Sequence, residues 1–284
     1  MNLKPPADLK ITVERALAED VGSGDVTARL VPAGKQARAV VIAREEAVIC
    51  GQPWFDEAFA QLDPVIEVRW EIAEGEQVAA DQRLCTLSGP ARAILTGERP
   101  ALNFLQTLSG TATAARHFTD AVAGTGAQVV DTRKTLPGLR TAQKYAVRCG
   151  GGHNHRIGLY DGILIKENHI AAAGGIRQAI AAARALQAGV PLMTEAENLD
   201  EARAALAADV DLLLVDDFSL EQLREAVRLT RAHRASGGKT RIEYSGGTSL
   251  DNIRALAETG VDRISVGAIT KHLRAVDLSM RFEA

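Results

Sequence analysis

Aromatic residues supply only 4% of this 284-residue chain, and cysteine occurs three times. So few aromatics leave little from which to build a platform for stacking nucleobases. Cys50, Cys85 and Cys149 are odd in number, far apart in sequence and form no CxxC pair. That argues against a disulfide framework or a structural zinc site and fits a reducing cytosol. Packing as small apolar side chains is their expected role. No apolar run approaches the roughly 20 residues that span a bilayer. The N-terminal MNLKPPADLKITVERALAED lacks the long apolar core of a secretory signal. The formal net charge of −3 lacks the basic balance typical of nucleic-acid binding. A cytoplasmic protein without membrane or nucleic-acid partners is expected. With 46% hydrophobic and 24% charged residues, the chain can bury one or two globular cores.

Positive charge is nevertheless concentrated in one stretch, DTRKTLPGLRTAQKYAVRCGGGHNHRIGLYDGILIKENH, from Asp131 to His169. Seven cations (Arg133, Lys134, Arg140, Lys144, Arg148, Arg156, Lys166) face three acids (Asp131, Asp161, Glu167), a local excess of four. A basic pocket in an acidic molecule points to a small, highly anionic ligand rather than a long polyanion.

The chain changes character near residue 110. Before it, a helix over 8–20 ends at Gly22-Ser23-Gly24, a β-branched run covers 37–43, and 65–87 alternates like strands around Glu74-Gly75. A long helical pattern follows over about 91–123. After it, strands are expected at 127–130, 163–165, 190–194, 211–215, 241–244 and 263–266. Helices are expected at 175–186, 198–207, 220–232 and 250–259. Apolar strands separated by amphipathic helices imply a parallel sheet covered on both faces. Without a GxGxxG turn, a barrel is favoured over a dinucleotide-binding sheet. All strand C-terminal ends would then meet on one rim.

Those ends carry Asp131 to Lys134, Lys166, Glu195, Asp216-Asp217, Ser245-Gly246-Gly247 and Gly267-Ala268. Arg133, Arg156 and Lys166 sit beside strand ends and glycines with few acids to pair, so guanidinium forks for carboxylate or phosphate are expected. Arg140, Lys144 and Arg148, at i, i+4 and i+8, read as a solvated or interface stripe. Gly150, Gly151 and Gly152 read as a sharp turn or close backbone approach placing Asn154, His155 and Arg156. The glycines after the last two strands suit phosphate binding through backbone N–H groups. Glu195 and Asp216 can hold a hard cation, with Mg²⁺ shared with substrate phosphates; Asn198 and Asp217 look like helix starts. His153, His155 and His169 make a poor zinc set beside Arg156 and Lys166, and His155 is expected to donate to an anionic ligand.

RKTLPGLR, KYAVRCGGGHNHRIGL and DGILIKENH resemble the quinolinate phosphoribosyltransferase (decarboxylating) family. GDVTARLVP, ERPALNFLQTLSGTAT, ENLDEA, VDDFS, EYSGG and ISVGAIT extend the resemblance, in order, along nearly the whole chain. It implies an α/β protein with an N-terminal α/β sandwich domain (1–110, joined by 271–284) and an incomplete (β/α) barrel (111–270). It implies transfer of phosphoribose from phosphoribosyl pyrophosphate to quinolinate with Mg²⁺, giving nicotinate mononucleotide, carbon dioxide and pyrophosphate. It also implies a homodimer with its active site at the subunit interface. On that pattern Arg99 reaches the quinolinate of the other subunit, and Arg133, His155, Arg156 and Lys166 line the dicarboxylate pocket. Lys134 lies near the phosphates, and Glu195 and Asp216 meet the ribose and metal. Ser245, Gly246, Gly247 and Gly267 cradle the 5′-phosphate, and Thr132, Val266 and Ala268 complete the implied substrate-binding set. Lys134, Lys166, Glu195 and Asp216 are the implied catalytic groups. Met193, Asp217 and Pro100 stand where the family more often has an acid, Asn and Thr. The rivals are a paralogue using another pyridine or pyrimidine acid, a barrel lyase with a Lys166 imine, and a non-catalytic binding protein.

Overall fold

The computed structural model describes residues 3–283. They fall into two compact units: residues up to 116, 135–151 and from 269 onward in one, and 117–134 with 152–268 in the other. The return of 135–151 to the first unit is not apparent from the sequence.

The chain starts with α1 (Leu9–Val21), β1 (Gln36–Ala43), β2 (Ala47–Val48), α2 (Gln52–Leu62), β3 (Glu67–Trp70), β4 (Gln77–Val78) and β5 (Arg83–Pro90). Next come α3 (Ala91–Ala121), β6 (Gln128–Val130) and α4 (Arg140–Cys149). Gly22 ends α1, as expected. The segment read as strands and turns over 65–87 contains β3, β4 and most of β5. Helix α2 has Pro53 in its first turn, where a missing N–H costs nothing. Its Trp54, Phe55, Ala58 and Phe59 recur at helical spacing and are all buried. Phe55 packs edge-on against Phe59 at 5.1 Å and Trp70 at 5.2 Å. Burial of each such ring contributes on the order of 2 kcal/mol.

Helix α4 joins this first core through Ala142, Tyr145 and Ala146. That leaves little of it in water. Lys144 is only 3% exposed and Arg140 is half-buried, so of the solvated or interface stripe expected at Arg140, Lys144 and Arg148, Arg148 alone is exposed. The three cysteines are free and buried in this core, as expected. Cys50, Cys149 and Glu74 bring their polar atoms within 4.8 Å of one another. Glu74 also accepts from the N–H groups of Gly51 (2.8 Å) and Gln52 (3.1 Å), capping the start of α2.

The second unit continues through β7 (Ile163–Ile165), α5 (Glu167–Ala173), α6 (Ile176–Ala185), β8 (Leu192–Ala196), α7 (Leu199–Ala207), β9 (Leu212–Asp216) and α8 (Leu220–Ala235). Then come β10 (Arg241–Ser245), α9 (Ile253–Ala257), β11 (Arg263–Ser265), α10 (Ala268–Lys271) and β12 (Leu278–Phe282). Its six strands run parallel in the order β6-β11-β10-β9-β8-β7, with β6 and β7 as edges: the expected open barrel. Strand β12 belongs to the first unit and completes the antiparallel sheet β12-β1-β5-β3, with Val41 opposite Met280. Asn198 caps α7 through the N–H groups of Asp200 and Glu201, as expected. Asp217 does not start α8; Ser219 does, in a capping box with Gln222. Among the described residues no helix is long and apolar enough to cross a membrane.

Register places the chemistry. Side chains in a strand alternate between faces, so neighbouring residues in register share one. Glu195, Leu214, Glu243, Arg263 and Gln128 form one rung across five strands. Asp216 and Ser245 stand on the next rung toward the C-terminal ends.

Candidate active site

A pocket of about 350 Å³ opens on this face of the second unit. Thr132, Arg133, Lys134, His155, Arg156, Leu164, Lys166, Glu195, Leu214, Glu243, Ser245 and Ser265 line it. Of the residues expected in the site, it gathers Thr132, Arg133, Lys134, His155, Arg156, Lys166, Glu195 and Ser245. Its size suits a small-molecule ligand.

Two guanidinium groups dominate the charge. Arg156 donates from Nη1 to the Gly162 carbonyl at 2.9 Å, which fixes its reach. Its acidity is raised first by burial and next by the positive charge of Arg133, with Asp161 opposing. Arg133 and Arg156 therefore repel one another in a partly desolvated wall. Such a pair is stabilised by an anion bound between them. Lys166, just before α5, donates to Glu195 at 2.5 Å. Glu195 is 4% exposed. Its carboxyl lies above the ordinary range because burial outweighs Lys166, and Asp216 adds to the rise.

A buried acid supports the loop that carries Arg156. Asp131 accepts from the His155 N–H at 2.8 Å and from Asn154 Nδ2 at 2.6 Å. His155 Nδ1 accepts the Arg156 N–H at 2.7 Å. By that network, its proton resides on Nε2, which lies 3.6 Å from Glu243. His155 Nδ1 is thus engaged within the protein, while the ring itself lines the pocket. Gly150 serves packing: a Cβ there would strike the Ala112 carbonyl of α3. The close approach is to a helix backbone rather than to a ligand.

Glu243 is a pocket residue that sequence reasoning missed. It is 0% exposed, with Arg263 Nε 3.0 Å from one oxygen. Burial pushes its carboxyl up to about 7 against the pull of Arg263. The signal was present, since Glu243 lies two residues before Ser245 and period-two alternation puts both on one face.

The glycine-rich strand ends are only partly free for a ligand. Gly247 donates its N–H to Asp217 Oδ1 at 3.2 Å. Asp217 itself adopts a left-handed φ of 51°. Gly246 has φ 148°, and a Cβ on it would collide with that same carboxylate. The Val266 N–H is engaged by the Val130 carbonyl at 2.9 Å and cannot serve as a phosphate donor. Gly267 faces Thr132 and Lys134, whose nearest atoms lie 3.6 and 3.3 Å from where its Cβ would be; Ala268 follows at the start of α10. Arg99 belongs to the first unit, exposed on α3, and lines a cleft there with Asp20, Asp25 and Thr96.

The oxygen donors of Glu195 and Asp216 fit a hard cation that takes its remaining ligands from a substrate and water. Among the described residues, Cys50, Glu74 and Cys149 form the one group of three potential ligand residues, and it lies in the first unit. His153, His155 and His169 form no such group. His169 Nδ1 instead accepts the Lys166 N–H at 3.0 Å.

An open parallel β/α barrel with mutually repelling guanidiniums and two adjacent acids at its strand ends defines an anion-handling α/β enzyme of the barrel class. The chain matches the quinolinate phosphoribosyl transferase N-terminal domain over residues 25–109 and the C-terminal domain over 111–281. It belongs to the quinolinate phosphoribosyl transferase family. It is 42% identical over 276 residues to the nicotinate-nucleotide pyrophosphorylase [carboxylating] of Mycobacterium leprae, covering 95% of each chain. The nicotinate-nucleotide pyrophosphorylase structure from Francisella tularensis superposes with a TM-score of 0.93 at 46% identity, covering 99% of this chain and 98% of that one. The corresponding structure from Ehrlichia chaffeensis gives 0.91 at 33% identity over 100% of both chains.

Proposed function

We propose that the chain transfers phosphoribose from phosphoribosyl pyrophosphate to quinolinate with loss of carbon dioxide, giving nicotinate mononucleotide and pyrophosphate. The observation that carries the reading is the Arg133–Arg156 pair: Arg156 is made more acidic by burial and by the positive charge of Arg133, and both line the pocket beside Lys166. Adjacent carboxylates on one aromatic ring are the complement of such a wall. Lys134, Thr132, Gly267 and the Ser245–Gly247 turn receive the phosphates, and Glu195 and Asp216 the ribose hydroxyls. Glu195 and Asp216 would hold Mg²⁺, which would supply charge neutralisation at the leaving group when bound.

Cleavage of the C1–pyrophosphate bond builds positive charge on the ribose and negative charge on the leaving oxygens. The fixed cations answer the second charge without a covalent nucleophile. Arg133 and Arg156 hold the ring nitrogen toward C1 in near-attack geometry. In the homodimer of this proposal, Arg99 comes from the partner subunit. A cytoplasmic setting keeps the three thiols reduced.

An assay for nicotinate mononucleotide from quinolinate and phosphoribosyl pyrophosphate, with and without Mg²⁺, tests the reading. Product from nicotinate instead of quinolinate would replace it with the paralogous activity.

A further inference from the structure

The roles above leave one pocket group unused. Glu243 is wholly buried and lies on the rung below Ser245, on the face that carries Leu214 and Glu195. Its oxygens face Arg263 at 3.0 Å and His155 Nε2 at 3.6 Å, yet neither makes a hydrogen bond of ordinary geometry. A carboxylate buried that way is poorly compensated. The charged and titratable groups around it are Arg263 from β11, Arg241 from β10, Asp131 beyond β6, and His155; the Ser265 hydroxyl also reaches it. Arg263, Ser265 and Arg241 favour the anion, while burial and Asp131 favour the acid. The balance leaves the carboxyl close to 7. An acid works best when it titrates near the working pH.

The proposed reaction, on which this inference rests, consumes one proton. When carbon dioxide departs, the carbon–carbon bond breaks and its electron pair stays on the ring carbon next to the cationic nitrogen. That carbon must then gain a hydrogen. Arginines do not release protons, so Arg133 and Arg156 are unsuited. Lys166 is engaged with Glu195. His155 directs Nε2 toward Glu243.

We propose that Glu243 donates the proton that replaces the departing carboxylate. The new C–H bond forms as the Glu243 O–H bond breaks, and the resulting anion is left between Arg263 and His155. Water restores the proton once product leaves.

The test compares Glu243→Gln, Glu243→Asp and the double variant Glu243→Gln/Arg263→Gln, which leaves no unpaired guanidinium. Quinolinate affinity should stay within about threefold in all three, while kcat falls about 100-fold or more in both Gln variants. In single turnover the Gln variants should form nicotinate mononucleotide only after pyrophosphate has been released. The alkaline fall of the wild-type kcat profile should vanish in them and persist in Glu243→Asp, with about tenfold or more of the rate restored. A kcat within about threefold of wild type in either Gln variant overturns the assignment. So does formation of nicotinate mononucleotide in step with pyrophosphate release. Loss of quinolinate affinity in parallel with kcat makes Glu243 a structural residue and also overturns it. If Arg156→Met leaves quinolinate affinity intact, the pocket reading itself fails, a distinct outcome.

Discussion

Replacing Arg156 by methionine retains most of the stem and removes one fork of the dicarboxylate wall. Truncating one partner of a buried, hydrogen-bonded charge pair costs about 2–5 kcal/mol. Arg156 is only partly buried, so the lower half of that range applies. At about 1.4 kcal/mol per decade, the KM for quinolinate should rise on the order of 30- to 300-fold. The KM for phosphoribosyl pyrophosphate should change less than about threefold, because its proposed contacts lie at Lys134 and the β10 and β11 ends. Two effects in the ligand-free protein oppose each other. The variant loses the bond to the Gly162 carbonyl, about 1 kcal/mol, and escapes the repulsion of Arg133. The unliganded melting temperature should therefore hardly move, while the stabilisation conferred by quinolinate disappears. Steady-state rates with each substrate varied, and melting curves with and without quinolinate, read both. Equal rises in both KM values, or an unchanged quinolinate KM, would refute the assignment.

Glu243 also makes stability depend on pH. Its folded value near 7 exceeds its ordinary 4.5, so its contribution is complete below pH 4.5 and is lost as pH rises through 7. The shift is worth about 3 kcal/mol. Urea denaturation at both ends of that window should show the wild-type loss, with Glu243→Gln lacking it; parallel pH dependence of the two proteins would contradict the buried acid. Asp217→Asn keeps an acceptor for the Gly247 N–H and removes a negative charge beside the proposed phosphate site. The KM for phosphoribosyl pyrophosphate should fall about fivefold, roughly 1 kcal/mol, and a rise would argue against phosphate binding there. Glu74→Ala strips the cap from α2 and should cost about 1–2 kcal/mol in chemical denaturation. Its kcat should be unchanged, and a large loss of turnover would mean that the cap reaches the chemistry.

The strand ends were legible because apolar runs broken by amphipathic helices admit few arrangements, and Lys166, Glu195, Asp216 and Ser245 each close such a run. The environments of individual side chains were harder to read. RIEY reads as one more apolar strand until alternation is applied through Ser245, which exposes Glu243. Lys144 looks solvated on a helical wheel, because nothing local indicates that α4 returns to the first unit's core. The triple glycine was recognised as a constraint, but the Ala112 carbonyl of α3 that bars a side chain at Gly150 lies 38 residues away. Asp217 resembled a helix start by residue type, and only its positive φ reveals the turn it closes.

The first antiparallel sheet gains its edge strand β12 only when residues 278–282 arrive, although β1 emerges some 240 residues earlier. A ribosome making this protein therefore holds the sheet of its first unit unfinished until residues 278–282 have emerged. A stop codon just before residue 278 strikes strand β1 as much as β12. For the same reason, cutting the gene at its family-domain boundary separates strands that need one another.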